Sequence, residues 1–250
     1  MVLGLVREVE RRTLGAAKAR GQDRNVNARR VAELIQLQRP PGDSGLSEQQ
    51  YRNEAARYGI NPAALHAFSD VESGGEGYTS NGRLKIMYEP HIFSQLTNKV
   101  YDGVPAGDYG VSCSYPSWCK PPKCPVGCRV HPYSLDQEAR WGVLAFAAEL
   151  NFEAALGACS WGAFQILGKW WKQLGYPTVW HFVVQMNNGG SAAHLNAAMR
   201  FLQYNGVIDE MKRGEWSKVI EAYNGGGNVD VYLPRFLERL KERSKLYVRR

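Results

Sequence analysis

The sequence predicts a mainly α-helical protein with one small β-hairpin. Three observations carry this prediction. Apolar residues recur at helical spacing, as with Val31, Leu34 and Ile35, and with Leu233, Phe236, Leu237 and Leu240. Helix start and stop signals punctuate such segments. A single Asn81-Gly82 step lies between Tyr78-Thr79 and Arg83–Tyr88, and such a pair favours the type I′ turn of a two-stranded hairpin.

The elements follow in order. Residues 1–39 read as a basic helical segment, with Val31, Leu34, Ile35 and Gln38 on its apolar stripe. Pro40-Pro41-Gly42-Asp43-Ser44-Gly45 reads as a linker. This divides the chain into an N-terminal extension with linker at 1–45 and a body at 46–250. Ser47 and Gln50 form a capping box for a helix to about Tyr58, which Gly59 stops. Asn61-Pro62 supplies the cap and first residue of a helix to about Glu72, with Gly74-Gly75 as a left-handed end. Residues 103–133 are rich in Cys, Pro and Gly and are expected to be irregular. Ser134 and Gln137 open a helix to about Leu150. Further helices are expected over 163–174, 192–204, 215–223 and 232–247, the last burying Leu233, Phe236, Leu237 and Leu240.

Composition narrows the function classes. With 250 residues, 44% hydrophobic and 22% charged, the chain can bury a core and is not of disordered type. Its longest apolar run, Trp141–Ala148, falls short of the ~20 residues of a membrane helix. Met1–Val6 is too short for the roughly 7–15 apolar residues of a signal-peptide core. The net charge of +7 is unevenly placed. Residues 1–39 and 235–250 each carry +5, and residues 40–234 carry −3. A nucleic-acid groove would need basic residues interleaved with aromatics on the body, so no nucleic-acid partner is expected. The basic ends either hold the protein near anionic envelope polymers or pack as ordinary helices.

Three motifs carry candidate chemistry. In Val71-Glu72-Ser73-Gly74-Gly75, Glu72 occupies the last turn of its helix. The negative end of the helix dipole there raises a carboxyl pKa, which suits a general acid. The plain alternative is a solvated glutamate before a glycine cap. In Ser160-Trp161-Gly162-Ala163-Phe164-Gln165-Ile166, Trp161 offers an apolar face for sugar and Gln165 an amide for hydroxyls; the alternative is core packing. In Ala222-Tyr223-Asn224-Gly225-Gly226-Gly227, Tyr223 and Asn224 can floor a cleft beside a flexible turn; the alternative is a helix end.

In order and spacing these motifs resemble the lysozyme-like superfamily. The closer resemblance is to the N-acetylmuramidase family of phage endolysins and related bacterial proteins. Val71–Tyr78 resembles its Val-Glu-Ser-Gly-Gly-x-Gly-Phe stretch, and Tyr88-Glu89-Pro90-His91-Ile92-Phe93 its Phe-Glu-Arg-His-x-Phe stretch. Ser160–Gly168 resembles its Ser-Trp-Gly-x-Phe-Gln-Ile-Met-Gly stretch, and Tyr223–Gly225 its Tyr-Asn-Gly element. The resemblance spans about 46–245.

It implies a two-lobed helical fold with a small hairpin beside the catalytic helix and a cleft for peptidoglycan glycan strands. It implies Glu72 as catalytic acid and Trp161, Gln165, Tyr223, Asn224 and Tyr88 as substrate-binding residues. Pro90 departs from the family's usual Arg. Glu89 is the candidate second carboxylate, with a structural partnership with His91 as the alternative. The implied reaction is hydrolysis between N-acetylmuramic acid and N-acetylglucosamine. The alternative is a lytic transglycosylase, in which the sugar's own 6-hydroxyl attacks and leaves 1,6-anhydro ends. The implied role is a phage endolysin with a partner holin, or a secreted antibacterial effector with a cognate immunity protein. Either would act in the periplasm or outside the inner membrane, as a monomer.

Cys113, Cys119, Cys124 and Cys128 crowd into sixteen residues. Two disulfides are expected, with a four-thiolate zinc site as the alternative. Cys159 is expected in the core. The five histidines show no metal-ligand spacing, so no catalytic metal or cofactor is expected.

Overall fold

The computed structural model describes residues 21–73, 76–117, 128–224 and 229–247. Fourteen regular elements occur among them: α1 (Gly21–Ile35), α2 (Glu48–Tyr58), α3 (Pro62–Ser73), β1 (Ile86–Tyr88), α4 (Pro90–Leu96), α5 (Gln137–Leu150) and α6 (Phe152–Gly157), then β2 (Cys159–Trp161), β3 (Ile166–Leu167), α7 (Val179–Asn188), α8 (Gly190–Tyr204), α9 (Ile208–Arg213), α10 (Trp216–Asn224) and α11 (Val229–Tyr247). The fold is mainly helical around a three-stranded antiparallel sheet of order β1-β2-β3.

The centre of the fold is α3. Ala63, Ala64, Leu65, Ala67 and Phe68 are all buried, so apolar residues surround this helix rather than forming a stripe. Its start is the expected one: the Asn61 side chain accepts the Ala63 N–H at 2.8 Å, and Pro62 occupies the first turn. The preceding helix α2 has the Ser47–Gln50 capping box and ends on Gly59 at φ +66°. The C-terminal helix α11 lies along α3. Arg243 grips Asp70 with two nitrogens, at 2.6 and 2.9 Å. His66 stacks on Tyr51 at 4.0 Å, and its Nδ1 lies 3.0 Å from the Tyr247 hydroxyl. These contacts hold the end of α3 in place. In α11, Phe236 is buried and Leu233 and Leu240 pack on the core, but Leu237, expected in the same stripe, is 48% exposed.

The described part of the N-terminal extension packs on the body. Val31 and Leu34 are buried, and Arg83 donates to the Ile35 carbonyl at 3.0 Å. The 40–45 segment is tied down rather than free. Asp43 accepts the Ser191 N–H at 3.3 Å and hydroxyl at 3.1 Å, at the start of α8, and pairs with Arg39 at 2.9 Å. Burial works against its charge, yet the Ser191 and Arg39 donors hold its carboxyl below the usual value.

Two expectations about local structure need correction. A turn forms here, but around Ser80-Asn81 rather than as the expected type I′ pair: Gly82 N–H donates to Thr79 O at 3.0 Å, only Gly82 takes a positive φ (+83°), and Tyr78 is bridged to Leu84. The strand beyond it, however, pairs with β2, in the register Ile86↔Trp161, Met87↔Ser160 and Tyr88↔Cys159. Burial of Ile86, Tyr88, Cys159 and Trp161 sets that register, because a one-residue slip would turn all four outward. The second correction is the helix expected over 163–174. Residues 159–167 form instead a hairpin closed by Trp161↔Ile166, followed by a 3₁₀ turn at Gly168–Trp170. An apolar run that short satisfies both periodicities. Gly162 at φ +70° and Gln165 at φ +49° decide for the turn, because neither conformation fits inside a right-handed helix. A smaller adjustment concerns α5, which is capped by Asp136, accepting Ala139 N–H at 2.8 Å, while Ser134 lies in a 3₁₀ turn.

In the cysteine-rich segment, Pro105 bridges Ser112. Cys113 is a buried free thiol, so the disulfide expected of it is absent; burial pushes its pKa up to about 12. The Cys128 sulfur accepts the Ser112 N–H at 3.2 Å. This bond joins the two described sides of the segment. Cys119 and Cys124, like Gly74-Gly75, lie outside the described residues. Cys159 is buried.

Candidate active site

The last turn of α3 delivers Glu72 to a cleft of about 330 Å³. Phe164, Gln165 and Leu167 of the β2–β3 hairpin form one side, Trp170 and Phe201 a second, and Tyr223, Asn224 and Tyr232 a third. The structure thus brings together Glu72, Gln165, Tyr223 and Asn224, four expected residues from three distant segments. Tyr223 is fixed by its hydroxyl bond to the Phe164 carbonyl at 2.5 Å. Its ring meets Phe68 of α3 edge-on at 5.0 Å and Phe201 at 5.8 Å.

Glu72 has the properties of a proton donor. Burial raises its pKa to about 7, against the opposing hydrogen bond from Asn224. Asn224 Nδ2 donates to Oε1 at 2.8 Å. The second oxygen, Oε2, accepts no hydrogen bond among the described residues, so it can carry a proton towards a ligand. A carboxyl titrating near neutrality is populated in both forms at working pH, which is the condition for general acid catalysis. The aromatic lining adds ring faces for sugar, and the amides add hydrogen bonds to hydroxyls.

The hairpin turn that presents Gln165 is built tightly. Its left-handed backbone is supported by its own side chain, whose Nε2 donates to Gly162 O at 2.7 Å and Lys85 O at 3.4 Å. The amide oxygen has no partner among the described residues and is available to a ligand. Behind the turn, buried His194 accepts the Ala163 N–H on Nδ1 at 3.4 Å, so Nε2 carries the hydrogen and donates to Met186 O at 2.9 Å. Burial lowers its pKa to about 4, which keeps it in this neutral form. A side chain at Gly162 would come within 2.9 Å of that ring.

Two expected substrate-binding residues are not in the cleft. Trp161 is 0% exposed; its Nε1–H donates to Leu156 O at 3.1 Å and its ring packs on Trp141. Tyr88 is also buried, with its hydroxyl on Cys113 O at 2.8 Å. Both are core residues of the sheet, because strand alternation turns them inward. The sequence reading leaves out Trp170, Phe201 and Leu167 as cleft residues. The Trp170-Trp171 pair is the available signal, but the helix expected over 163–174 runs through it.

Glu89 is not among the residues lining the Glu72 cleft. It precedes α4, where Pro90 takes the first helical position. Its Oε2 accepts the Tyr133 hydroxyl at 2.5 Å. His91 Nδ1 lies 3.6 Å away, too far for the expected hydrogen bond, and has no hydrogen-bond partner. Burial raises the Glu89 pKa to about 7, against the Tyr133 bond and the Arg140 charge. The ladder reaches Glu89, whose N–H donates to Ala158 O at 2.9 Å, but Ile166 and Leu167, on opposite faces of β3, both line the cleft, so strand alternation does not assign Glu89 to it.

Among the described residues, no group of three or more His, Cys, Asp or Glu side chains is placed to hold a metal. No described helix is long and apolar enough to cross a membrane.

Comparison with known proteins bears on this geometry. No curated protein matches the chain. Among solved structures, the crystal structure of Burkholderia AP3 phage endolysin is similar, with TM-score 0.67 and 29% identity over 81% of this chain and 72% of that one. The N-acetylmuramidase family model matches residues 61–242, which run from the cap of α3 through the cleft to α11. Glu72, Asn224 and the aromatic cleft all fall within that match, and the chain belongs to the N-acetylmuramidase family.

Proposed function

We propose that this protein hydrolyses the bond between N-acetylmuramic acid and N-acetylglucosamine in peptidoglycan, with Glu72 as the acid. Family membership already makes it a lysozyme-type glycosidase; the bond and the residue roles are the proposal. The carrying observation is the Glu72 carboxyl, raised to about 7, with one oxygen unbonded, in an aromatic cleft. Glu72 protonates the glycosidic oxygen as the bond breaks, and Asn224 steadies the carboxylate that remains. Gln165, Tyr223, Trp170 and Tyr232 hold the sugars.

Glu89 is the second carboxylate in this proposal. Glu89 falls within the matched family region, and a pKa near 7 suits a proton acceptor. Glu89→Gln is then expected to lower kcat by about 10²–10⁴-fold. A kcat within twofold of wild type would leave Glu89 as an anchor for α4 alone. One observation favours the transglycosylase reading: among the described residues, Glu72 is the only carboxylate lining the cleft. Mass spectrometry of purified peptidoglycan digested by the enzyme separates the two. Reducing ends support hydrolysis, and 1,6-anhydro ends replace it with attack by the 6-hydroxyl. Lysis retained by Glu72→Gln would overturn the assignment of the acid.

The biological role we propose is that of a phage endolysin acting outside the inner membrane, supported by the similar solved endolysin. Its partners would be the glycan strand and a holin. Expression inside a bacterium is then expected to lyse cells only once the membrane is permeabilised. A tightly bound inhibitor encoded beside it would instead indicate an effector with an immunity protein.

A further inference from the structure

Helix α8 gives Phe201 to the cleft and lines a second cavity on its other side. This groove encloses about 460 Å³, bounded among others by Arg57, Tyr58, Gln173, Asn196, Arg200 and Tyr204. It takes no part in the chemistry above. It shares a wall with the cleft, since the ring of Trp170 packs on Tyr204 at 5.7 Å and on Phe201 at 6.2 Å.

The charge in this groove is incompletely answered. Two guanidiniums line it and no carboxylate does. Arg57 is paired with Glu54 at 3.0 Å. Arg200 has neutral partners: Nε donates to Asn196 Oδ1 and Nη1 to Leu174 O, both at 2.9 Å. Its guanidinium also lies 5.2 Å from the Tyr176 ring centroid. No carboxylate lies within ion-pair distance of Arg200 among the described residues, although the residue is half-buried. Withdrawing a cation from water without a counter-ion is costly. Two fixed acceptors also hold the guanidinium plane still, so its remaining N–H edge is set in advance for a planar anion.

We propose that this groove binds the carboxylate-bearing stem peptide of the peptidoglycan strand held in the cleft, with Arg200 receiving the carboxylate. This rests on the peptidoglycan reading above. Each muramic acid carries its peptide sideways from the glycan axis. An extended tetrapeptide spans about 13–14 Å, longer than a wall one Trp–Tyr pair thick. The incoming carboxylate supplies the missing counter-charge, and Gln173, Gln203, Tyr58 and Tyr204 offer hydrogen bonds and ring faces to the peptide.

The test titrates the full-length Glu72→Gln protein with a synthetic stem tetrapeptide bearing free carboxylates, and with its fully amidated form. The free form is expected to bind about tenfold more tightly, the scale of one charge-assisted hydrogen-bonded pair. Arg200→Gln is expected to erase that preference, and Arg200→Lys to restore part of it. Equal binding of the two peptides by the unsubstituted groove would overturn the proposal, as would a preference that survives Arg200→Gln. The amidated peptide needs no groove variant, so a poorly folded Arg200→Gln does not shelter the idea. In cleavage assays, the wild type is expected to show a lower KM on peptide-bearing strands than on strands stripped by an amidase, and Arg200→Gln to lose that difference. Failure of the glycosidase reading would look different: neither substrate would be cleaved, whatever the peptides do.

Discussion

Asn224→Ala offers a direct test of how Glu72 is tuned. Asn224 donates the hydrogen bond that Glu72 receives, at 2.8 Å. It stabilises the charged carboxylate, so it opposes the burial that raises the pKa to about 7. Removing it must move the pKa further up. A hydrogen bond to a charged group contributes about 1.5–3 kcal/mol, and one pKa unit corresponds to about 1.36 kcal/mol. Because the cleft is open to solvent, the lower end applies, and the expected rise is about one unit. The acid must be protonated to work, so the alkaline limb of kcat/KM should move from about 7 to about 8. Initial clearing rates of purified peptidoglycan from pH 5 to pH 9 give this profile. The height will fall as well, because Asn224 lines the cleft, but the position of the limb is independent of height. Asn224→Asp should move it further still, since two adjacent carboxyls share one proton. A limb that stays in place or moves towards acid would refute the reasoning.

Other expectations concern stability. Glu89 has a folded-state pKa raised from 4.5 to about 7, so the folded chain binds more protons than the unfolded one between those values, and stability falls as pH rises through that window. Glu89→Gln should therefore stabilise the protein by up to roughly 3 kcal/mol at pH 8 and hardly at all at pH 4; urea midpoints that shift equally at both would contradict this. Trp161→Ala should cost about 3–5 kcal/mol in chemical denaturation, as expected of a core aromatic and not of a sugar platform. Leu34→Ala should cost about 2–4 kcal/mol, since Leu34 is fully buried. A smaller loss, under about 0.5 kcal/mol, would mean that the extension is dispensable to the fold.

The sequence reached furthest where physics is local. Cap chemistry placed the starts of α2 and α3 correctly, because Ser47, Gln50 and Asn61 act on donors two or three residues away. It failed over 159–170, part of which was expected as the helix 163–174, where short apolar runs broken by Gln165 have no period of their own and the partner strand β1 lies far earlier in the chain. The same failure hid Trp170 and promoted Trp161, since strand alternation decides which of two tryptophans faces the cleft.

What the sequence alone determined was the chemical inventory: a mainly helical fold, a carboxyl at a helix end, and Gln165, Tyr223 and Asn224 as candidates, all found together at Glu72. The apolar stripe of the basic N-terminal helix marked Val31 and Leu34, and the fold shows them joining the core of the body. Only the tertiary structure decided which carboxylate lines the cleft, which aromatics line it, and that Arg200 lacks an ionic partner among the described residues. These are properties of burial and distance between segments far apart in the chain. They depend on desolvation and on through-space fields, and neither exists until the chain has folded.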